Sequence, residues 1–159
     1  MIFVTVGSQK FQFNRLLEEL DKLMEEKKIK DNIIAQIGYC TYIPKNFKFE
    51  KFLDRDKFNE TMKECNLLIT HGGTGAIIAG VKKSKKVIAI PRDKKYGEHV
   101  DNHQYDIVNQ FSDMNLIYGL KEINELENAI NKVNDLNFKK YISNTENVIQ
   151  SIEAFIENF

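Results

Sequence analysis

Between the apolar run Leu67-Leu68-Ile69 and the helix-prone Ala76-Ile77-Ile78-Ala79 stands His71-Gly72-Gly73-Thr74-Gly75, three glycines within four residues where a strand should hand over to a helix. Glycine lets the backbone approach a ligand closely and adopt positive φ at little steric cost. A helix beginning near Thr74 turns its unsatisfied N–H groups and its positive dipole end toward whatever lies in front. That combination favours phosphate. A tight strand-to-helix turn with no ligand fits the same five residues. Gly7, Gly72, Gly73 and Gly75 are half of the eight glycines in the chain, so glycine concentrates at two such turns, the first being Gly7-Ser8-Gln9.

A second polar segment runs from Pro91-Arg92-Asp93 through Gly97-Glu98-His99 to Asp101-Asn102-His103-Gln104. Its residues Glu98, Asp101, Asn102 and Gln104 offer carboxylates and amides suited to the hydroxyls of a ribose or hexose. Acidic residues at a helix start also answer the dipole alone. All three histidines, His71, His99 and His103, fall in these two segments. His99 and His103 are four apart and would share a helix face beside Glu98, as metal ligands do. No HExxH pattern or cysteine pair accompanies them, and no metal is expected.

These segments need elements to hold them. Short apolar strands are predicted at Ile2–Val6, Ile33–Ile37, Leu67–Thr70, Val87–Ile90 and Asn115–Tyr118, with a one-sided strand at Phe47–Phe52. Helical spacing marks Asn14–Lys28 through Leu16, Leu17, Leu20, Leu23 and Met24. It also marks Phe58/Met62/Cys65, the segment after Gly75, a helix from near Glu98, and Ile123/Leu126/Ile130/Val133. A last helix is expected over about residues 143–159, with Val148, Ile149, Ile152, Phe155, Ile156 and Phe159 on one stripe. Strands alternating with helices imply a parallel sheet covered on both faces. The 159 residues thus read as one Rossmann-like α/β domain. The three polar loops then lie at the carboxyl ends of the strands, where open α/β sheets bind ligands.

Lys+Arg and Asp+Glu both total 23, so no net charge invites nucleic acid or an anionic surface. Cys40 and Cys65 have neither metal nor redox spacing and suggest a reducing, cytoplasmic setting. The first residues lack a basic stretch and read as a strand, not a signal peptide. No apolar run approaches the roughly 20 residues needed to span a bilayer, so any work at a membrane requires another molecule to hold the chain there.

Val4-Thr5-Val6-Gly7-Ser8-Gln9, Leu68-Ile69-Thr70-His71-Gly72-Gly73-Thr74-Gly75, and Ile90-Pro91 followed by Asp101-Asn102-His103-Gln104 together resemble the donor-binding half of a split GT-B glycosyltransferase. Similar chains are the C-terminal domains of family 28 glycosyltransferases and the small subunits of bacterial exopolysaccharide and capsule glycosyltransferases. The resemblance implies the C-terminal half of a GT-B fold. It also implies transfer of a hexose, galactose or N-acetylglucosamine, with inversion from a UDP-sugar to a lipid-linked saccharide acceptor. Gly7, Ser8 and Gln9 would lie against the donor diphosphate, and Gly72, Gly73, Thr74 and Gly75 would face its phosphates through backbone N–H groups. Asp101, Asn102, His103 and Gln104 would contact the sugar, Glu98 the ribose, and Gly38-Tyr39 would border the base. The donor substrate is a UDP-sugar with no separate cofactor. The catalytic base and acceptor site would lie on a membrane-anchored partner subunit that recruits this chain to the cytoplasmic face, with His71 as the in-chain alternative for the base. The terminal helix would dock on that partner or simply cover the sheet.

Two other readings remain at this level. Gly73-Thr74-Gly75 opens a GxGxxG-like run with Asp93 20 residues on, as in a dinucleotide-binding domain, but Ile78 stands at the third glycine position. The chain could also bind a nucleotide sugar and only assist a catalytic partner.

Overall fold

The computed structural model describes residues 1–143; the expected helix over about residues 143–159 lies, but for its first residue, outside them. Six strands, β1 (Ile2–Thr5), β2 (Ile33–Gln36), β3 (Lys48–Glu50), β4 (Leu67–His71), β5 (Lys86–Ile90) and β6 (Tyr118–Gly119), form one sheet. Its order is β3-β2-β1-β4-β5-β6, and every neighbouring pair is parallel. This is the doubly wound order, whose direction of winding reverses between β1 and β4 and leaves a crevice outside their carboxyl ends.

Among the described residues five α-helices cover the two faces: α1 (Asn14–Glu25), α2 (Arg55–Glu64), α3 (Thr74–Lys82), α4 (His103–Asp113) and α5 (Leu126–Val133). Alternate strand residues point to opposite faces, so the core is in two layers. Ile2, Val4, Ile69, Ile88 and Ile90 pack with Leu16, Leu17 and Leu20 of α1 and Leu126, Ile130 and Val133 of α5. Phe3, Leu68, Val87 and Ala89 pack with Met62 of α2, Ile77 and Val81 of α3 and Val108 of α4.

Adjacent lysines at the start of β5 tie both layers to it. Lys85 Nζ donates to the carbonyls of Lys63 and Cys65 at the end of α2, at 2.6 and 2.8 Å. Lys86 Nζ donates to Val133 O at 3.0 Å and to Asn134 O at the end of α5. A cation there meets orphan carbonyls and the negative dipole end. On the edge, the buried Asp21 carboxylate accepts from Tyr42 Oη at 2.7 Å and from the amides of Lys45 and Asn46, holding the loop that leads into β3. Those bonds lower the carboxyl's pKa despite burial and push the Tyr42 hydroxyl up to about 12.

Several boundaries differ from the expected ones: α1 stops at Glu25 rather than Lys28, and β3 covers only Lys48–Glu50 rather than Phe47–Phe52. The fourth helix begins at His103, five residues later than Glu98. Gly97, at φ +67°, closes a single 3-10 turn over Lys94–Tyr96, and residues 98–102 run on as a loop. The last strand is shifted to Tyr118–Gly119. Asn115, at φ +56°, and Leu116 are used to close α4, through bonds from their amides to Ser112 O and Phe111 O at 2.8 and 3.1 Å.

Candidate functional site

A cleft of about 460 Å³ opens at the carboxyl edge of the sheet where the winding reverses. Three of its walls are the turns singled out from the sequence: Gly7, Ser8 and Gln9 after β1, His71 to Gly75 after β4, and His103 and Gln104 at the start of α4.

The glycine turn is built for close approach rather than for positive φ. Gly73 caps α3 at φ −84°, ψ 120°, and no side chain bonds to the first turn of that helix. The intrahelical bonding starts with Ile77 N–H donating to Gly73 O, so the amides of Thr74, Gly75 and Ala76 have no intrahelical partner. All three residues line the cleft. At Gly72 a Cβ would fall 2.7 Å from Gln104 Cβ, and at Gly73 one would fall 2.3 Å from His71 Nε2. At Gly75 nothing lies within 4 Å. Two glycines therefore let protein segments meet, while the third leaves room on the cleft side. Positive φ appears instead at Gly7 (+80°), whose missing Cβ would touch His71 Cε1 at 2.6 Å.

His71 is thus a wedge between the two glycine turns. The Thr70 hydroxyl donates to Thr5 O at 2.8 Å, so its oxygen can only accept from His71 Nδ1, 3.3 Å away. That assigns the hydrogen to Nδ1 and leaves Nε2 a bare acceptor. Burial, reinforced by the nearby Arg92 charge, pushes its pKa down to about 3. An imidazole of such weak basicity is a poor proton acceptor at neutral pH. The expectation of His71 as an in-chain base is corrected to a neutral spacer.

The residues after β5 divide in two. Gln104 is buried, takes the Arg92 amide on Oε1 at 3.0 Å and lines the cleft with His103. Glu98, expected at a ribose, does not reach the cleft. It is 1% exposed, accepts from Arg15 Nε and Nη2 at 2.7 and 3.0 Å, and takes the Asp93 amide at 2.9 Å. It is a structural anchor. Asn102 is likewise a loop residue, its Oδ1 taking the Lys94 amide at 2.9 Å. Asp101 is exposed and holds two imidazoles: His99 Nδ1 lies 3.1 Å from Asp101 Oδ1, and His103 Nδ1 bonds to the same oxygen. The bond to His103 keeps the Asp101 carboxyl below its ordinary pKa. His99 and His103 meet across this turn, their rings 4.8 Å apart, rather than along a helix face.

Arg92 was not singled out from the sequence, yet it fixes the first loop. Wholly buried, its Nη2 donates to Val6 O at 2.6 Å and Phe11 O at 3.0 Å, either side of Gly7-Ser8-Gln9. Its Nε and Nη1 have no partner among the described residues, and burial works against its charge. No sequence signal marks such a bond, since it joins β5 to a loop 81 residues earlier. Gln36 was missed too. It lines the cleft from β2, its amide shared between Leu53 N–H at 3.1 Å and Thr5 Oγ1 at 3.4 Å. Gly38 and Tyr39, expected near the base, do not line the cleft: a Cβ at Gly38 would fall 2.9 Å from Gly7 O, and Tyr39 stands edge-on to Phe52 at 5.2 Å. Asp93, the acidic residue of the dinucleotide reading, is bound by Tyr105 Oη and the Lys95 amide, each at 2.9 Å, and does not line the cleft.

A doubly wound α/β domain with an amide-lined crevice at its switch point has the arrangement at which open α/β sheets bind ligands, and comparison with known proteins narrows the class. The pattern of the glycosyltransferase family 28 C-terminal domain matches residues 1–158, and the chain belongs to that family. Among curated proteins it is similar to the UDP-N-acetylglucosamine transferase subunit ALG13 of Mus musculus, 28% identical over 120 residues, and of Homo sapiens, 29% over 116. Those alignments cover 68% and 69% of this chain and 10% of each relative, so the chain spans about a tenth of their length. The Candida albicans subunit of that name is 34% identical over 82 residues, half of this chain and 27% of that protein. In fold it is similar to the solution structure of ALG13, with a TM-score of 0.58, 16% identity and 89% of both chains covered. It is similar also to Acinetobacter baumannii MurG, with a TM-score of 0.57 and 15% identity over 82% of this chain and 40% of that one.

Proposed function

We propose that this chain is the donor-binding half of an inverting, UDP-sugar-dependent glycosyltransferase that works with a second polypeptide. The observation that carries the reading is the uncapped start of α3, with Thr74, Gly75 and Ala76 amides at the crevice between β1 and β4. In inverting transfer the leaving group is UDP, so negative charge grows on the β-phosphate. Preorganised N–H donors stabilise such charge with no reorganisation at the moment of reaction, each worth about 10²–10³ in rate. Gly7-Ser8-Gln9 closes over the diphosphate from the other side, and His103 and Gln104 reach the sugar hydroxyls.

The base belongs to the partner. His71 is too weakly basic to serve. That partner is taken to be membrane-anchored, as the resemblance to split GT-B glycosyltransferases implies; among the described residues no helix is long and apolar enough to cross a membrane. The transferred sugar is galactose or N-acetylglucosamine and the acceptor a lipid-linked saccharide of exopolysaccharide or capsule synthesis. The likeness of the family to the UDP-N-acetylglucosamine transferase subunits supports the sugar class. Glu98 is withdrawn as the ribose contact.

Calorimetry of the chain with UDP and with NAD tests the binding: UDP should bind and NAD should not, and the reverse overturns the reading. Capture of the native partner, followed by assay of the pair with a panel of UDP-sugars, tests the reaction. Turnover by the pair that is unchanged by Thr74→Pro would reduce this chain to an assisting subunit.

A further inference from the structure

A diphosphate brings several negative charges, yet no lysine, arginine or carboxylate among the described residues lines the cleft, although the chain has 23 Lys and Arg residues. We propose that the buried Arg92, set behind the Gly7-Ser8-Gln9 loop, supplies the positive charge that holds an anionic ligand there. It is a positioning residue for the loop and acts on the anion through its field, without contact. The inference deepens the functional reading above, and its test separates the two.

Arg92 is a cation whose counter-charge is missing. It is wholly buried, and its guanidinium lies over the buried Phe13 ring at 5.8 Å. Glu98, whose charge favours that of Arg92, is bonded to Arg15 instead, at 2.7 and 3.0 Å. Nη2 alone makes both bonds to the loop carbonyls, while Nε and Nη1 donate to nothing among the described residues. Taking an unpaired cation out of water is costly. A neutral donor would hold the loop carbonyls at less cost, so the charge itself needs a use. An anion arriving in front of the loop restores the missing counter-charge.

Two observations carry that field into the cleft. Arg92 Nη2 lies 2.6 Å from the carbonyl of Val6, whose neighbour Gly7 lines the cleft. His71, which also lines it, has its pKa pushed down to about 3 by burial first and by the Arg92 charge next. A positive potential that disfavours a proton on an imidazole favours a phosphate at the same place. Between low-dielectric walls such a charge acts beyond contact distance. The uncapped start of α3 adds its dipole from the glycine turn.

Arg92→Gln and Arg92→Lys both keep a donor for the loop carbonyls, and only lysine keeps the charge. Calorimetry of the whole chain with UDP and with inorganic pyrophosphate tests the proposal. Arg92→Gln should weaken both ligands by about tenfold or more, while Arg92→Lys stays within about threefold of the parent. Hydrogen exchange at residues 7–11 should quicken alike in the two variants, which separates charge from loop support. Equal weakening in both variants, or parental affinity in Arg92→Gln, overturns the role of the charge. A parent that binds pyrophosphate but not UDP overturns the nucleotide reading, and the variants then decide this proposal with pyrophosphate. A parent that binds neither overturns both. Where a variant does not fold, the Arg92 Nε resonance of the parent decides: it should shift on saturation with pyrophosphate, and a resonance that stays in place overturns the proposal.

Discussion

Gly73 and Gly75 stand two residues apart and answer opposite demands. Gly73→Ala drives a methyl into the His71 ring, which cannot retreat because Gly7 crowds its other side. Its thermal unfolding midpoint should fall. Gly75→Ala meets nothing within 4 Å and replaces glycine in the first turn of a helix. It should raise stability by about 0.5–1 kcal/mol and weaken UDP binding, because the added methyl stands in the cleft. A Gly75→Ala protein that binds UDP as well as the parent would remove the phosphate from this turn. His71 has its own signature. Its folded pKa of about 3 lies below an unfolded value near 6.5, so the unfolded chain takes up a proton first and stability drops as pH falls through that window. Between pH 7 and 5 the loss should be about 2 kcal/mol, and His71→Asn should abolish most of it. Urea titrations at the two pH values read this directly.

At the level of elements, the β5 end holds the cleft loops in place. Arg92→Met keeps the buried volume but leaves Val6 O and Phe11 O without their donor, an unsatisfied carbonyl costing roughly 1–3 kcal/mol. Hydrogen exchange should quicken at residues 7–11, and UDP affinity should fall by about tenfold; exchange unchanged there would mean the loop is held by other means. Lys86→Met should cost about 1 kcal/mol through the carbonyl end of α5, read by thermal unfolding. The elements were largely legible in the sequence, since alternation and helical spacing are local. Ile2–Thr5, Asn14–Glu25 and Leu67–His71 start where the pattern starts. The start of α4 was misread because Glu98 looks like a helix-start carboxylate, while its real partner, Arg15, is 83 residues away. The glycine turns and Gln104 were legible as types and spacings. Gln36 and Arg92 were not, because their roles arise from long-range packing that leaves no periodic trace.

At the scale of the whole molecule, the proposed reading gives this chain the donor side of a cleft completed by a partner. The predicted behaviour follows: the chain alone binds UDP, and transfer appears only with the partner, which assay of each component separately would check. Thr74→Pro is the sharpest probe of the assembled pair. Proline is tolerated at the first helical position, and Gly73 has the extended ψ that a residue before proline prefers. Relative to a Thr74→Ala control, loss of that single amide should slow transfer about 10²–10³-fold if it faces the growing charge.

The crevice draws its surfaces from residues 5, 7–9, 36, 58, 71–76, 79, 99, 103, 104 and 107, positions scattered over most of the described chain. No fragment short of nearly the full sheet can assemble it, so occupancy and global folding are thermodynamically linked. A nucleotide at 100 times its dissociation constant should add about 2.7 kcal/mol to the stability of the entire domain. Protection from proteolysis should therefore extend to distant segments such as α5 that no ligand touches.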